Sequence, residues 1–250
     1  MTAELPNYAL VLGASGGLGS ALVTQFLMDP SITRVFAISR VGESDSIGVS
    51  VAEAKKLVWI KTEYDEPSMV EVTEQLKPHA GQFGRVCICH GLLHSDTIWP
   101  EKRLEDINSE NLHAIFQSNT VVPTLWLKLL FNLLKGKQPC VVATLSARVG
   151  SIGDNHMGGW HSYRASKAAL NMVLKNMAIE YGRRAKNVKL VAFHPGTTDT
   201  SLSKPFQASV PSDKLFTPAF VASQLAGIMN NADVDGQLSY LDWNGEMISW

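Results

Sequence analysis

LVLGASGGLG, residues 10–19, joins a short apolar run to the start of a helical pattern. Its glycines at 13, 16, 17 and 19 include the spacing Gly-x-x-x-Gly-x-Gly. Glycine permits a tight turn and a close approach of the backbone, and a helix N-terminus offers N–H groups and a positive dipole end to a pyrophosphate. The stretch therefore predicts a dinucleotide-binding loop between the first strand and the first helix of an α/β fold, the alternative being a plain turn.

Short apolar runs alternate with longer amphipathic segments along the whole chain. Apolar runs rich in β-branched residues are typical of strands buried on both faces of a parallel sheet. We therefore expect one α/β domain over residues 1–250, a doubly wound and mostly parallel sheet of about seven strands with helices on both faces. The predicted strands are 8–12, 35–39, 57–60, 85–89, 140–145, 188–193 and 238–241, and the predicted helices are 20–28, 68–76, 111–134, 163–181 and 218–230. The long loops 147–162 and 194–216 are predicted to bind ligands or close over them.

The composition is that of a soluble globular protein, since 45% of the residues are hydrophobic and 18% are charged. A net charge of −1 and the lack of a basic run argue against binding to nucleic acid. No apolar run reaches the roughly 20 residues of a membrane span, and the first residues lack the pattern of a signal peptide. Three cysteines make no disulfide framework and favour a reducing compartment. We expect a cytoplasmic protein that binds neither nucleic acid nor membrane.

Tyr163 and Lys167 stand four residues apart in a predicted helix. Positions i and i+4 lie on one face of a helix, so the ammonium of Lys167 can approach the phenol of Tyr163 and lower its pKa from the ordinary value of about 10. Tyr163 would then serve as a proton donor and acceptor near neutral pH. Such pairs also occur on ordinary exposed helices, and the pair gains meaning from the glycine loop in the same chain.

Arg40 follows the predicted second strand. An acidic residue at this place would bind an adenosine ribose and repel a 2′-phosphate, whereas a guanidinium forms charge-assisted hydrogen bonds with phosphate. Arg40 therefore favours NADP(H) over NAD(H), the alternative being a solvated arginine at a strand end.

One interpretation of the residues Cys87, Cys89 and His90 is a metal site, since cysteine and histidine are common metal ligands. No second pair of ligands follows at zinc spacing, and small buried cysteines in the sheet explain the pattern more simply. We predict no metal.

The glycine loop and the Tyr-x-x-x-Lys pair together resemble the short-chain dehydrogenase/reductase family over nearly the whole chain. Within the family the chain is most similar to C-factor-like and sniffer-like carbonyl reductases. The resemblance implies a Rossmann fold, NADP(H) as cofactor and the reduction of a small aldehyde or ketone to an alcohol. It also implies a homodimer or homotetramer packed through the helix of Asn119 and the Tyr-Lys helix. The segments that carry the subgroup likeness are GLLH (91–94), SARVGSIGDN (146–155), YRASKAALN (163–171), HPGTTDT (194–200) and the terminal Trp250.

The resemblance also implies a role for individual residues. Tyr163 corresponds to the general acid that protonates the carbonyl oxygen, and Lys167 lowers its pKa and holds the nicotinamide ribose. Asn119 matches the asparagine that fixes a water in the proton relay. The loop of Pro195-Gly196 and Thr200 matches the one that binds the nicotinamide carboxamide. The cofactor-binding residues implied in this way are Gly13, Ser15, Gly16, Gly17, Leu18, Gly19, Arg40, Thr62, Gly91, Tyr163, Lys167, Pro195, Gly196, Thr198 and Thr200.

Two departures from the family pattern concern the adenosine side. The family motif Asn-Asn-Ala-Gly reads Ile-Cys-His-Gly at 88–91, so only Gly91 can be transferred. After the third strand, Thr62 takes the place of the family aspartate in one register. Asp65 fits a shifted register or caps the next helix.

The third departure concerns the catalytic serine. The family serine lies three residues before a glycine, and counting back from Gly150 gives Ala147, with Ser146 one residue earlier. A one-residue step reverses the direction of a side chain in a regular strand. We assign Ser146 as the hydroxyl that stabilises the developing oxyanion, and Ser151 is another hydroxyl nearby.

The predicted function is that of an NADPH-dependent carbonyl reductase. The alternative is a catalytically weak nucleotide-sensing or signalling protein on the same fold, which the altered serine and the lost Asn-Asn-Ala would suit. Asn119, Tyr163 and Lys167 together favour the enzyme, because a sensor needs no proton relay. An epimerase or dehydratase of the longer related family fits poorly, since that group has a further C-terminal substrate domain.

Overall fold

The computed structural model describes residues 7–42 and 50–250, and a parallel sheet of seven strands lies at its centre. The large sheet has the order β3-β2-β1-β4-β5-β6-β9, and all its neighbouring strands are parallel. Strands β7 and β8 form a separate short pair. The doubly wound α/β fold predicted from the sequence is thereby confirmed. The strands are β1 (Tyr8–Leu12), β2 (Arg34–Ser39), β3 (Leu57–Lys61), β4 (Phe83–Ile88), β5 (Cys140–Leu145), β6 (Val188–His194), β7 (Thr197–Thr198), β8 (Leu215–Phe216) and β9 (Leu238–Asp242).

Helices cover both faces of the large sheet. In chain order they are α1 (Gly17–Met28), α2 (Val51–Ala54), α3 (Glu66–Leu76), α4 (Ser109–Phe116), α5 (Val122–Leu134), α6 (His161–Arg184) and α7 (Pro218–Asn230). Helices α1 and α7 pack on one face, and α3, α5 and α6 pack on the other. None of the helices within the described ranges combines the length and the apolar character that crossing a membrane requires.

The sheet separates two apolar cores, because successive residues of a strand point to opposite faces. On β6, Leu190 and Ala192 belong to the core under α5 and α6, whereas Val191 and Phe193 belong to the core under α1 and α7. Both faces of the central strands are buried, which explains why these strands are apolar throughout rather than alternating.

The predicted helix at 111–134 is interrupted. Helix α4 ends at Phe116, a π-helical turn spans Gln117–Val121, and α5 continues from Val122. Such a turn widens the helix by one residue and is frequent at functional sites, but it leaves the apolar pattern of the sequence nearly unchanged. The loop predicted at 194–216 also contains structure that the pattern did not show, namely β7, β8 and short 3₁₀ helices at Lys204–Ser209 and Ser212–Lys214.

Candidate active site

A cavity of about 1240 Å³ opens at the carboxyl ends of the strands, where the order of the sheet reverses between β1 and β4. Open α/β sheets bind ligands at this edge, because the loops leaving the strands on either side of the reversal point in opposite directions. The cavity brings together most of the predicted site residues, and those that line it are Gly16, Gly17, Leu18, Gly19, Gly91, Ser146, Tyr163, Lys167, Pro195, Gly196, Thr198 and Thr200.

The glycine loop leads from β1 into α1, as the sequence predicts. Gly13 has a φ of +85°, a left-handed conformation that suits glycine. A Cβ on Gly19 would collide with the carbonyl oxygen of Gly13, so the loop and helix can pack this closely only with glycine there. Gly16 is the N-cap of α1 and places no side chain on the first N–H groups of the helix, while Ser15 is exposed. These N–H groups suit an anion such as a pyrophosphate.

Arg40 lies beside the glycine loop, outside the lining of the cavity. Its exposed guanidinium is 5.9 Å from the centre of the Tyr64 ring. The Tyr64 hydroxyl donates to the carbonyl oxygen of Ile38 at 3.2 Å, and the same oxygen accepts the N–H of Gly13 at 2.9 Å. Arg40 is thus placed next to the loop where a nucleotide would bind.

Thr62 is buried and also lies outside the lining of the cavity. Its Oγ1 is 2.9 Å from Oγ of Ser68, within hydrogen-bonding distance. Asp65 accepts the N–H of Ser68 at 2.9 Å and caps α3, which is one of the two alternatives that the sequence left open.

Tyr163 and Lys167 lie on one buried face of α6. Tyr163 is 8% exposed, Lys167 is 2% exposed, and the Lys167 Nζ is 5.9 Å from the centre of the Tyr163 ring. The same Nζ donates to the carbonyl oxygen of Leu145 at 2.9 Å. Burial raises the pKa of Tyr163 and lowers the pKa of Lys167 to about 8, because an apolar surrounding favours the neutral form of each group. The direction for Tyr163 is opposite to the one expected from the spacing alone.

Asn119 is fully buried in the π-helical turn and joins two parts of the site. Its Oδ1 accepts the N–H of Leu92 at 2.7 Å, and its Nδ2 donates to the carbonyl oxygen of Leu92 at 2.9 Å. The Nδ2 also donates to Oγ of Ser166 at 3.0 Å. Asn119 therefore ties the loop after β4 to α6, one residue before Lys167. Its place in a water relay stays a prediction.

Ser146 and Ala147 have different surroundings. The Ser146 hydroxyl donates to Oδ1 of Asn171 at 2.6 Å, and both residues are buried. Ala147 packs with Leu93 and Tyr163 in one small buried cluster. Both residues line the cavity, with the Ala147 methyl group in the apolar cluster of Tyr163 and the Ser146 hydroxyl bonded to Asn171.

The loop after β6 reaches back to the glycine loop. Gly196 has a φ of +68°, and a Cβ there would lie 2.7 Å from the Phe216 ring. Thr198 is buried and donates to the carbonyl oxygen of Pro195 at 3.3 Å. A Cβ on Gly17 would lie 2.7 Å from Cγ2 of Thr200. Gly17 therefore allows the two loops to meet over the cavity.

Glu101 holds the start of α6, a role that the sequence did not indicate. It is 3% exposed, its Oε2 accepts the N–H of Ser162 at 3.1 Å, and its Oε1 accepts the Ser162 hydroxyl. Its backbone oxygen accepts the N–H of Trp160 at 2.6 Å, and Trp160 has a φ of +50°. Glu101 lies in an irregular loop among charged residues, so no periodic pattern distinguishes it from a solvated acid.

His90, at the end of β4, is enclosed by the protein. Burial lowers its pKa to about 3, and its ring packs edge-on against Tyr64 with the centroids 4.3 Å apart. Among residues 7–42 and 50–250, no three His, Cys, Asp or Glu side chains gather in a group that could hold a metal ion.

The chain is similar to known proteins in both sequence and structure. Residues 7–210 match the family described as short chain dehydrogenase. Benzil reductase ((S)-benzoin forming) of Bacillus cereus is 23% identical over 242 residues, which cover 91% of this chain and 95% of that protein. The NADPH-bound carbonyl reductase from chicken fatty liver has a TM-score of 0.79 at 21% identity, covering 98% of this chain and 100% of the other. The carbonyl reductase Sniffer of D. melanogaster has a TM-score of 0.77 at 19% identity, with the same coverage. At such identities the structural likeness shows a shared fold.

Proposed function

Since the chain belongs to the short chain dehydrogenase family, we propose that it is an NADPH-dependent oxidoreductase that reduces an aldehyde or ketone, with Tyr163 as the proton donor. The observation that carries the proposal is the buried Tyr163–Lys167 pair, which lines the same cavity as the glycine loop and the Pro195-Gly196 loop. A proton donor, a neighbouring amine and an anion-binding helix end on one cavity are the parts that the protein must supply for a carbonyl reduction.

Three groups of residues suit the cofactor. Gly17 and Leu18, at the start of α1, would offer N–H groups to the pyrophosphate, and the N-cap Gly16 places no side chain in its way. The exposed guanidinium of Arg40, beside the glycine loop, suits the 2′-phosphate that distinguishes NADPH from NADH. Pro195-Gly196, Thr198 and Thr200 also line the cavity and suit the nicotinamide end. When bound, NADPH supplies the hydride.

Tyr163 gives its hydroxyl proton to the carbonyl oxygen of the substrate. Its raised pKa keeps the phenol protonated at neutral pH, which is the form that reduction requires. Lys167 lies close enough to stabilise the phenolate that proton transfer leaves behind. The hydrogen bonds of Asn119 hold the loop after β4 against α6 beside this pair. We assign Ser146, through its bond to Asn171, to the support of the strand end and not to the oxyanion.

The exposed faces of two helical segments suit a subunit contact. Met172 and Ile179 on α6 are 63% and 43% exposed, and Val121 in the π-helical turn is 39% exposed. Apolar side chains on neighbouring segments favour association, in line with the expected homodimer or homotetramer. Size-exclusion chromatography with light scattering measures the state directly, and an M172E variant that leaves it unchanged would place any contact elsewhere.

Replacing Tyr163 with phenylalanine tests the proposal. NADPH oxidation is followed at 340 nm with a panel of aldehydes, ketones and quinones, and NADPH binding is measured by fluorescence titration. Y163F should lower kcat by about 10²-fold or more, as expected for loss of a positioned proton donor. Its Kd for NADPH should stay within about twofold, because Phe keeps the ring and its packing.

Tyr8→Phe is the matched control, because Tyr8 begins β1 and so lies at the end of that strand away from the cavity. Near-normal turnover by Y163F would rule out Tyr163 as the donor. Tight NADPH binding by the wild type without turnover of any carbonyl compound would favour the nucleotide-sensing alternative.

A further inference from the structure

Aromatic rings from three separate loops meet at the cavity, and Trp99, Trp160 and Phe206 line it. His94 and Trp99 come from the loop after β4, Trp160 from the loop before α6, and Phe206 from the loop after β7. His94 stacks on Trp99 with centroids 5.4 Å apart, and Phe206 lies 6.2 Å from Trp99 and 5.1 Å from Trp160. Trp160 is in turn 6.2 Å from the Tyr163 ring. The rings form a continuous chain from the mouth of the cavity to the proposed proton donor.

These rings are only partly covered, unlike aromatic residues that fill a core. Trp99 is 54% exposed and lines the cavity, whereas Trp126 in the core is fully buried. Met157, on the same lining, is 90% exposed. Exposed apolar side chains gathered in one concave surface are characteristic of a binding site for an apolar ligand.

The charged groups of this lining are largely held by the protein itself. The Glu101 carboxylate accepts two hydrogen bonds from Ser162. The Asp106 carboxylate accepts the N–H groups of Lys102 and Arg103. Arg148 lies 3.8 Å from a carboxylate oxygen of Asp242. Lys102 is a further charged side chain of this lining, and the surface that a ligand meets beside Trp99, Trp160 and Phe206 is largely apolar and aromatic.

We infer that the outer part of the cavity binds the aryl group of an aromatic carbonyl substrate. The inference rests on the proposed function, because it takes the Tyr163 end of the ring chain as the place of the carbonyl group. Aromatic rings gain from edge-to-face and offset contacts beyond the area that they bury. An aryl ring entering beside Trp99, Phe206 and Trp160 extends a chain of such contacts, whereas a saturated ring of similar size gains only from burial.

A matched pair of ketones tests the inference. 4-Phenylbutan-2-one and 4-cyclohexylbutan-2-one have the same isolated carbonyl group and differ only in the ring. The wild type should reduce the phenyl ketone with a kcat/KM about threefold to tenfold higher, the range that one or two aromatic contacts give. F206L should bring the ratio of the two kcat/KM values close to one, mainly by lowering the value for the phenyl ketone.

Phe220→Leu is the control, because Phe220 packs with Phe216 and Trp243 away from this lining. Trp99→Leu, at a largely exposed position, gives a second variant should F206L fail to fold. The inference would be overturned if the wild-type ratio of the two kcat/KM values, phenyl over cyclohexyl, were at or below one. It would also be overturned if kcat/KM fell equally for both ketones in the folded variants. Reduction of small aliphatic aldehydes without either ketone would also overturn it while leaving the proposed function intact. If no carbonyl compound is reduced, the proposed function itself fails.

Discussion

Replacing Ser146 with alanine distinguishes a structural hydroxyl from a catalytic one. The Ser146 hydroxyl donates to Asn171 Oδ1 at 2.6 Å in a buried setting. Its removal leaves that oxygen without this donor, at a cost of about 1–3 kcal/mol. For a chain of this size each kcal/mol lowers Tm by about 2–4 °C, so we expect S146A to melt roughly 2–12 °C below the wild type. Because the Ser146 hydroxyl is engaged with Asn171 and carries no catalytic role under the proposed function, kcat should stay within about threefold.

The reciprocal variant, Ala147→Ser, places a hydroxyl on the residue that contacts Tyr163. A hydrogen bond to the reacting oxygen is worth about 0.5–1.5 kcal/mol, so kcat/KM should rise by about twofold to tenfold. Differential scanning fluorimetry and steady-state kinetics with one ketone measure both effects. Loss of an oxyanion donor typically lowers kcat by about 10²–10³-fold. A loss of that size in S146A, with Tm unchanged, would refute the reasoning and restore Ser146 as the catalytic hydroxyl.

Three further predictions concern groups around the same cavity. The pKa of Lys167 in the folded protein, about 8, lies below its ordinary 10.5, so the unfolded chain binds more protons between these values and wild-type stability rises with pH through that window. The Tm of K167M relative to the wild type, measured by calorimetry, should therefore fall between about pH 7 and pH 10. Glu101→Ala leaves the N–H and hydroxyl of Ser162 without their acceptor. The variant should lose about 1.5–3 kcal/mol of folding stability, with lower values of both kcat and Tm. Glu105→Ala, at an exposed position, is its control, and equal Tm values for the two variants would contradict the role of Glu101. Arg40→Gln should raise KM for NADPH by about tenfold and leave KM for NADH nearly unchanged, because only NADPH has a 2′-phosphate; a parallel rise for both cofactors would argue against this contact.

The fold was largely predictable because its signals are local. Continuous apolar runs such as 140–145 mark strands buried on both faces, and the glycine spacing at 13–19 marks the turn into the first helix. The π-helical turn at 117–121 escaped prediction because one added residue per turn hardly shifts an apolar pattern. The Arg34–Ser39 strand and the Glu66–Leu76 helix differ from their predicted bounds by one or two residues. The ends of an element are set by capping contacts and not by the periodicity of the sequence.

The site was predictable only where a local motif marks it. Tyr163, Lys167 and the glycine loop were found from their spacing, and the parallel sheet brings them to one edge. Glu101 and Asn171 act through contacts with residues 61 and 25 positions away, respectively. No local pattern records such contacts. The direction of the Ser146 side chain likewise depends on how β5 ends and not on the distance to the next glycine.

The pKa values at the site depend on distant loops for the same reason. On an exposed helix, Lys167 would lower the pKa of Tyr163 through its charge. In the folded chain, Leu93 from the loop after β4 and Ala147 from the end of β5 pack on the Tyr163 ring. Burial raises the pKa of Tyr163 and keeps its phenol neutral. A neutral phenol is the form that gives a proton to a carbonyl oxygen, so this surrounding, built from loops outside the Tyr-x-x-x-Lys motif, suits the role proposed for Tyr163.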